Sequence, residues 1–170
     1  APRLVLILSV ALAVFAWIYG YFSSGTEAAP FVAEVIGGVS RVEARGDLFI
    51  GYDQDGNVIG YAATGQAQGY GGPLKMLVGI DLDGEITGVK IVEQRETPGF
   101  FNLILDRDFF GQYPGRNYRD PLQINRDLKA VSGATVSAEG IASAARNAIR
   151  LMAQEGLNSP LPPEKRPIQF

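Results

Sequence analysis

The chain has 170 residues, 46% of them hydrophobic, with 15 basic and 18 acidic side chains and a formal net charge of −3, which leaves room for one compact domain and a short extra segment but not for two full domains. It contains no Cys and no His, which excludes disulfides, Cys/His zinc sites, iron–sulfur clusters, His-ligated haem and imidazole or thiol catalysis, so any redox work falls to a non-metal cofactor. A mildly acidic chain without a basic run also lacks the clustered Lys/Arg that nucleic-acid binding needs.

The first element in chain order is the apolar run from Leu4 to Phe22, whose only polar side chain before its aromatic end is Ser9. At about 1.5 Å per helical residue this run nearly spans a hydrocarbon core of roughly 30 Å. Trp17, Tyr19, Tyr21 and Phe22 gather at one end like an interfacial aromatic belt, and Arg3 is the only charge before Glu27. A single transmembrane helix is therefore expected over residues 1–22, with its N-terminus cytoplasmic and the remainder extracytoplasmic. A cleaved signal peptide would have a shorter apolar core and a small-x-small site. Ser23 to Pro30 is small and polar and reads as the start of a linker and lead-in over residues 23–46.

Two segments then repeat one another. Asp53-Gln-Asp-Gly-Asn-Val-Ile-Gly60 and Asp81-Leu-Asp-Gly-Glu-Ile-Thr-Gly88 share Asp-x-Asp-Gly-x-(Val/Ile)-x-Gly. Each lies between β-branched or alternating apolar runs: Leu48 to Tyr52 and Val58 to Ala62 for the first, Met76 to Ile80 and Ile86 to Val92 for the second. Asp-Gly between such runs predicts a hairpin, because Gly accepts positive φ and Asp folds back on its own backbone. Gly65 to Pro73, between the hairpins, is rich enough in Gly to be expected as a loop.

Near the end, Ile141, Ala144, Ala145, Ala148, Leu151 and Met152 fall on one helical face opposite Arg146, Asn147 and Arg150. Ser137 is the expected N-cap and Gly156 the expected stop. The tail over residues 159–170 holds Pro160, Pro162, Pro163 and Pro167 and should be extended. Hairpins followed by a helix give an α+β domain over residues 47–158, behind the single transmembrane helix.

Just before that helix runs Val131-Ser-Gly-Ala-Thr-Val-Ser137. Small residues let a backbone approach a ligand closely, and a helix start offers free N–H groups and a favourable dipole to a phosphate. Local physics alone favours simple helix capping.

The segment Ser132-Gly-Ala-Thr-Val-Ser137 resembles the Ser-Gly-Ala-Thr-x-Ser/Thr signature of the FMN-binding domain family, which includes the G subunit of the Rnf electron-transport complex and the C subunit of the sodium-pumping NADH:quinone reductase. Glu96-Thr-Pro-Gly99 resembles the family segment that lies against the flavin, and Gly69 to Leu74 and Val78 to Val89 resemble its central strands. The likeness runs in order from about Leu48 to Ala153. Two positions depart from the family: Lys129 stands where Asp often precedes the signature, with Asp127 nearby, and Phe100-Phe101 stands where Leu-Gly is frequent.

The resemblance implies FMN joined as a phosphoester to Thr135 by a dedicated flavin transferase. It places Ser132, Gly133, Ala134, Val136 and Ser137 about the phosphate, and Glu96, Thr97, Pro98 and Gly99 beside the ring. No catalytic residue and no metal ligand is implied. The expected role is electron relay within a membrane redox complex at the bacterial inner membrane, without independent substrate turnover. A tethered binding or assembly subunit without flavin, or a flavin carrier or sensor outside those complexes, are the alternatives.

Overall fold

The computed structural model describes residues 27–157. Five strands form one antiparallel sheet in the order β1-β2-β3-β4-β5: β1 Arg41–Arg45, β2 Leu48–Tyr52, β3 Val58–Gln68, β4 Pro73–Asp81 and β5 Ile86–Gln94. The helices are α1 Val32–Val35, α2 Pro98–Asp106 and α3 Thr135–Leu151, the last running into a π turn over Met152–Gly156.

The two Asp-Gly repeats make the same turn. Asp53 Oδ1 accepts from the N–H groups of Asp55 (2.9 Å) and Asn57 (2.8 Å), and Asp81 Oδ1 accepts from Asp83 (3.0 Å) and Glu85 (2.8 Å). Gly56 and Gly84 take φ of 84° and 80°, the left-handed region these turns need. The Asn57 side-chain amide, which donates to Asp53 Oδ2, and the Asn57 N–H hold the Asp53 carboxyl below its ordinary range. A carboxyl depressed on folding stabilises the turn fully above the ordinary carboxylate pKa, and that stabilisation is lost as pH falls through the folded value. Asn57→Ala should therefore move the NMR titration of Asp53 upward toward that of an ordinary aspartate.

The sheet is covered on both faces. On one, α3 lies over β3 and β4, with Ala138, Ile141, Ala145 and Ala148 fully buried against Ala63, Met76, Val78 and Ile80. Small residues bring this helix close: a Cβ at Gly65 would stand 2.0 Å from the Ala144 carbonyl oxygen, and one at Gly140 would stand 2.9 Å from Gly69 Cα. On the other face, residues 28–39 cross the back of the sheet, where Val32, Val35 and Ile36 are buried with Phe49, Ala62 and Leu77. Burying each of these large aliphatic side chains contributes about 1.5–3 kcal/mol. The paired glycines Gly51 and Gly60, and Gly79 and Gly88, clear a shallow groove for this crossing; a Cβ at Gly79 would lie 2.6 Å from the Val35 carbonyl oxygen. The Thr87 hydroxyl donates to that same carbonyl, and Lys90 pairs with Glu34.

The expected fold class is corrected in two respects. It combined an α+β domain of hairpins with a single transmembrane helix, yet among the described residues no helix is long and apolar enough to cross a membrane; the run from Leu4 to Phe22 lies outside them, as does the expected tail over residues 159–170. Helices beyond the expected C-terminal one also pack around the sheet, in which the two hairpins adjoin as parts of one five-stranded meander. Gly65 to Pro73 is mostly strand, since β3 continues to Gln68 and β4 begins at Pro73, leaving a loop of Gly69 to Gly72. Gly65 sits in β3 because α3 crosses there, not because the chain turns.

Between α2 and α3 a long irregular segment buries Phe109, Tyr113, Leu122 and Leu128. Asp127 orders it by accepting from the N–H groups of Leu122 (2.8 Å) and Gln123 (2.7 Å), so both of its oxygens serve the local backbone.

Candidate functional site

The edge of the sheet at the end of β3 carries the site. The loop Gly69 to Gly72 folds over Arg95 to Thr97, and Glu96 fixes it from beneath. Its Oε1 accepts from the Tyr70 N–H and its Oε2 from the Gly71 N–H, both at 2.9 Å, while its own N–H donates to Gln94 Oε1 at 2.6 Å. The residue is 6% exposed. Glycine is needed for this closeness, since a Cβ at Gly71 would lie 2.7 Å from the Thr97 nitrogen. Glu96 is thus a buried clamp on the loop, a role that neither its neighbours in sequence nor its charge signals. Glu96→Ala would leave two backbone donors without their acceptor and should cost about 3 kcal/mol by denaturant unfolding, with Glu96→Gln costing less because one oxygen remains.

Thr97, Pro98 and Gly99, which follow Glu96, open α2 and are exposed. Thr97 is the N-cap, in extended conformation with no side-chain cap bond, and Pro98 stands in the first turn, where its missing N–H costs nothing. One turn on, Leu103 reaches the signature turn: a Cβ at Gly133, whose φ is 86°, would lie 3.3 Å from Leu103 Cδ1. The start of α3 also leans on the Gly69 loop through Gly140. The structure therefore brings Glu96–Gly99 and Ser132–Ser137, far apart in sequence, to the same end of the domain.

Within the signature, Ser132, Gly133, Thr135 and Val136 are exposed, whereas Ala134 and Ser137 are 4% and 1% exposed. Ala134 closes the turn by donating to the Val131 carbonyl at 3.0 Å. Thr135 is the first residue of α3, and its hydroxyl makes only a long contact of 3.5 Å to that same carbonyl. Ser137 is not the N-cap; it lies in the first turn, and its buried hydroxyl has no hydrogen-bond partner. Ala134 occupies the cap position, with no side-chain bond to the helix, so the first N–H groups of α3 lack a side-chain acceptor.

A cleft of about 410 Å³ flanks this turn, lined by Arg107, Asp108, Gly111, Gln112, Lys129, Ala130, Val131 and Ser132. Gln112 holds the backbone of Lys129 from both sides, accepting from its N–H at 2.7 Å and donating to its carbonyl at 3.4 Å. The lysine at the departure position is thereby fixed at the rim of the cleft. Nothing in the linear pattern marked Arg107 and Gln112 as neighbours of the signature.

Residues 69–150 match the sequence model of the FMN-binding domain. That match spans just under half of the chain, which is thus similar to the FMN-binding domain family. The chain is 34% identical over 110 residues to the G subunit of an ion-translocating oxidoreductase complex of Methanosarcina acetivorans, a match that covers 62% of this chain and 58% of that one. It is 28% identical over 123 residues to the G subunit of the Na⁺-translocating ferredoxin:NAD⁺ oxidoreductase complex of Acetobacterium woodii, covering 67% of this chain and 58% of that one. The chain therefore spans less than two thirds of the length of these relatives. The fold is shared with the C subunit of the Na⁺-translocating NADH-quinone reductase of Parabacteroides distasonis, at a TM-score of 0.52 and 20% identity, over 77% of this chain and 83% of that one. An exposed hydroxyl on a helix start without a side-chain cap, following a small-residue turn, has the chemistry that suits a phosphate group.

Proposed function

We propose that this domain carries FMN as a phosphoester on Thr135 and relays electrons as a subunit of an ion-translocating redox complex. The observation that carries the proposal is the state of Thr135. Its hydroxyl is exposed and barely engaged, at a helix start that no side chain caps, beside a buried Ser137 hydroxyl without a partner.

Bound FMN would supply the electron-accepting and electron-donating chemistry, which no side chain of this Cys- and His-free chain provides. The protein's part is attachment and orientation. Ser132, Gly133 and Ala134 form the turn that admits the phosphate, and the first N–H groups of α3 face it with the positive end of the helix dipole. Val136 and Ser137 continue the cradle, the latter offering its unpaired hydroxyl. Thr97, Pro98 and Gly99 border the ring, and Glu96 acts indirectly by holding the loop beside them. Lys129 and Arg107, on the cleft next to Ser132, add positive charge where the phosphate diester sits.

A phosphoester does not form unaided, so maturation is assigned to a flavin transferase. The partners proposed for electron relay are the other subunits of a complex of the kind named for the relatives, and the domain works at a membrane because ion translocation requires one. Neither independent turnover of a small molecule nor nucleic-acid binding belongs to this reading.

Protein isolated from its native host and run on a denaturing gel should show a yellow-fluorescent band, and should co-purify with other subunits of a redox complex. A band without fluorescence would overturn the flavin assignment, and fluorescent protein that elutes alone would overturn the assignment to a complex.

A further inference from the structure

Two aromatic rings meet at the site, Tyr70 exposed and Phe100 half-buried against the core. Tyr70, at the tip of the Gly69–Gly72 loop, is 61% exposed, and its ring meets that of Phe100 edge to face, 4.7 Å between centroids at 81°. The backbone beneath both rings is held. The Tyr70 N–H is bound to Glu96, and Phe100 sits in the first turn of α2, its N–H donating to the Thr97 carbonyl at 3.0 Å. Val136, 56% exposed, lies one turn before Gly140 on the same helical face, and Gly140 is the residue that abuts Gly69. Tyr70, Phe100 and Val136 therefore flank the space between Thr97 and Thr135. An aromatic corner on a hydrogen-bonded backbone, beside a polar helix start, matches a ligand that is planar and aromatic at one end and anionic at the other.

We infer that Tyr70 and Phe100 form the wall against which the isoalloxazine ring packs, with Tyr70 as a positioning residue that sets the ring's environment. This rests on the proposal that Thr135 carries FMN. Phe100 is one of the two positions where this chain departs from the family pattern, so the wall is a property of this domain's own residues. An electron-rich phenol against an excited flavin quenches its emission, so the wall has a spectroscopic signature that a purely structural role would not give.

The test uses the full chain, flavin-loaded in its native host, as wild type, Tyr70→Leu, Phe100→Leu and the double variant. Intact mass establishes the covalent flavin in each. Native-state flavin fluorescence should rise several-fold in Tyr70→Leu and further in the double variant, the visible absorption bands should shift, and the differences should vanish on denaturation. Loaded variants with wild-type fluorescence and absorption would overturn the wall alone. A wild-type chain with no covalent flavin would overturn the underlying proposal and the wall with it.

Discussion

Thr135→Ala should abolish covalent flavin while leaving the domain folded. The side chain is exposed and its hydroxyl makes one contact, at 3.5 Å, so little stability resides in it. Alanine is also the better helix former, by up to about 0.7 kcal/mol. The unfolding midpoint should consequently stay within a few degrees of wild type, since exposed substitutions of this kind change stability by roughly 0.5 kcal/mol or less. The expected loss in covalent flavin is complete, because no partial bond can form without the oxygen. Thr135→Ser keeps the oxygen at nearly the same place and should retain measurable loading. In-gel fluorescence and circular dichroism on the three proteins check this together: a fluorescent alanine variant would remove Thr135 from the site, and an unfolded one would show that the residue is structural.

The second large effect belongs to Gly65. Its Cα faces α3 so closely that a methyl group would be 2.0 Å from the Ala144 carbonyl oxygen and 2.5 Å from the Ala148 nitrogen. Both are backbone atoms, so no rotamer change can relieve the contact and the helix must move. Overpacking of this kind costs about 3 kcal/mol, which for a domain of this size lowers the thermal midpoint by roughly 10 °C. Because α3 carries Thr135 at its first residue, Gly65→Ala should also reduce flavin loading, although residue 65 is far from the signature in sequence. Gly37→Ala is the control: a Cβ there meets nothing within 4 Å, and the midpoint should not move. Equal midpoints for the two variants, by calorimetry, would show that helix and sheet are not in tight contact.

The sequence showed most where one rule acts locally. Asp53 and Asp81 form their turns with bonds spanning two and four residues, so the repeat alone identified both hairpins and their strands. The buried face of α3 was legible from the spacing of Ile141, Ala144, Ala145 and Ala148, all of which the structure buries. What was misread depends on contacts across the chain. Gly65 looked like loop because its partner, Ala144, is distant in sequence. β1, an edge strand exposed or half-exposed throughout, offers only Val42 and Ala44 as apolar residues, too short a pattern to stand out. α2 was not anticipated, although Pro98 just after Thr97 suits a helix start. The signature turn was legible only through resemblance, since Ser and Thr before a helix are ordinary caps, and Ser137 turned out not to cap at all. Glu96 and Tyr70 gained their roles from the loop that joins them, which no linear pattern describes.

The rest of the proposed flavin site depends on the phosphoester proposed at Thr135. Peptide mass mapping of the protein purified from its native host should find one peptide, containing Thr135, heavier by one FMN less one water, with fragment ions placing the addition on that threonine. An unmodified Thr135 peptide from the purified chain, or the addition on another residue, would contradict it.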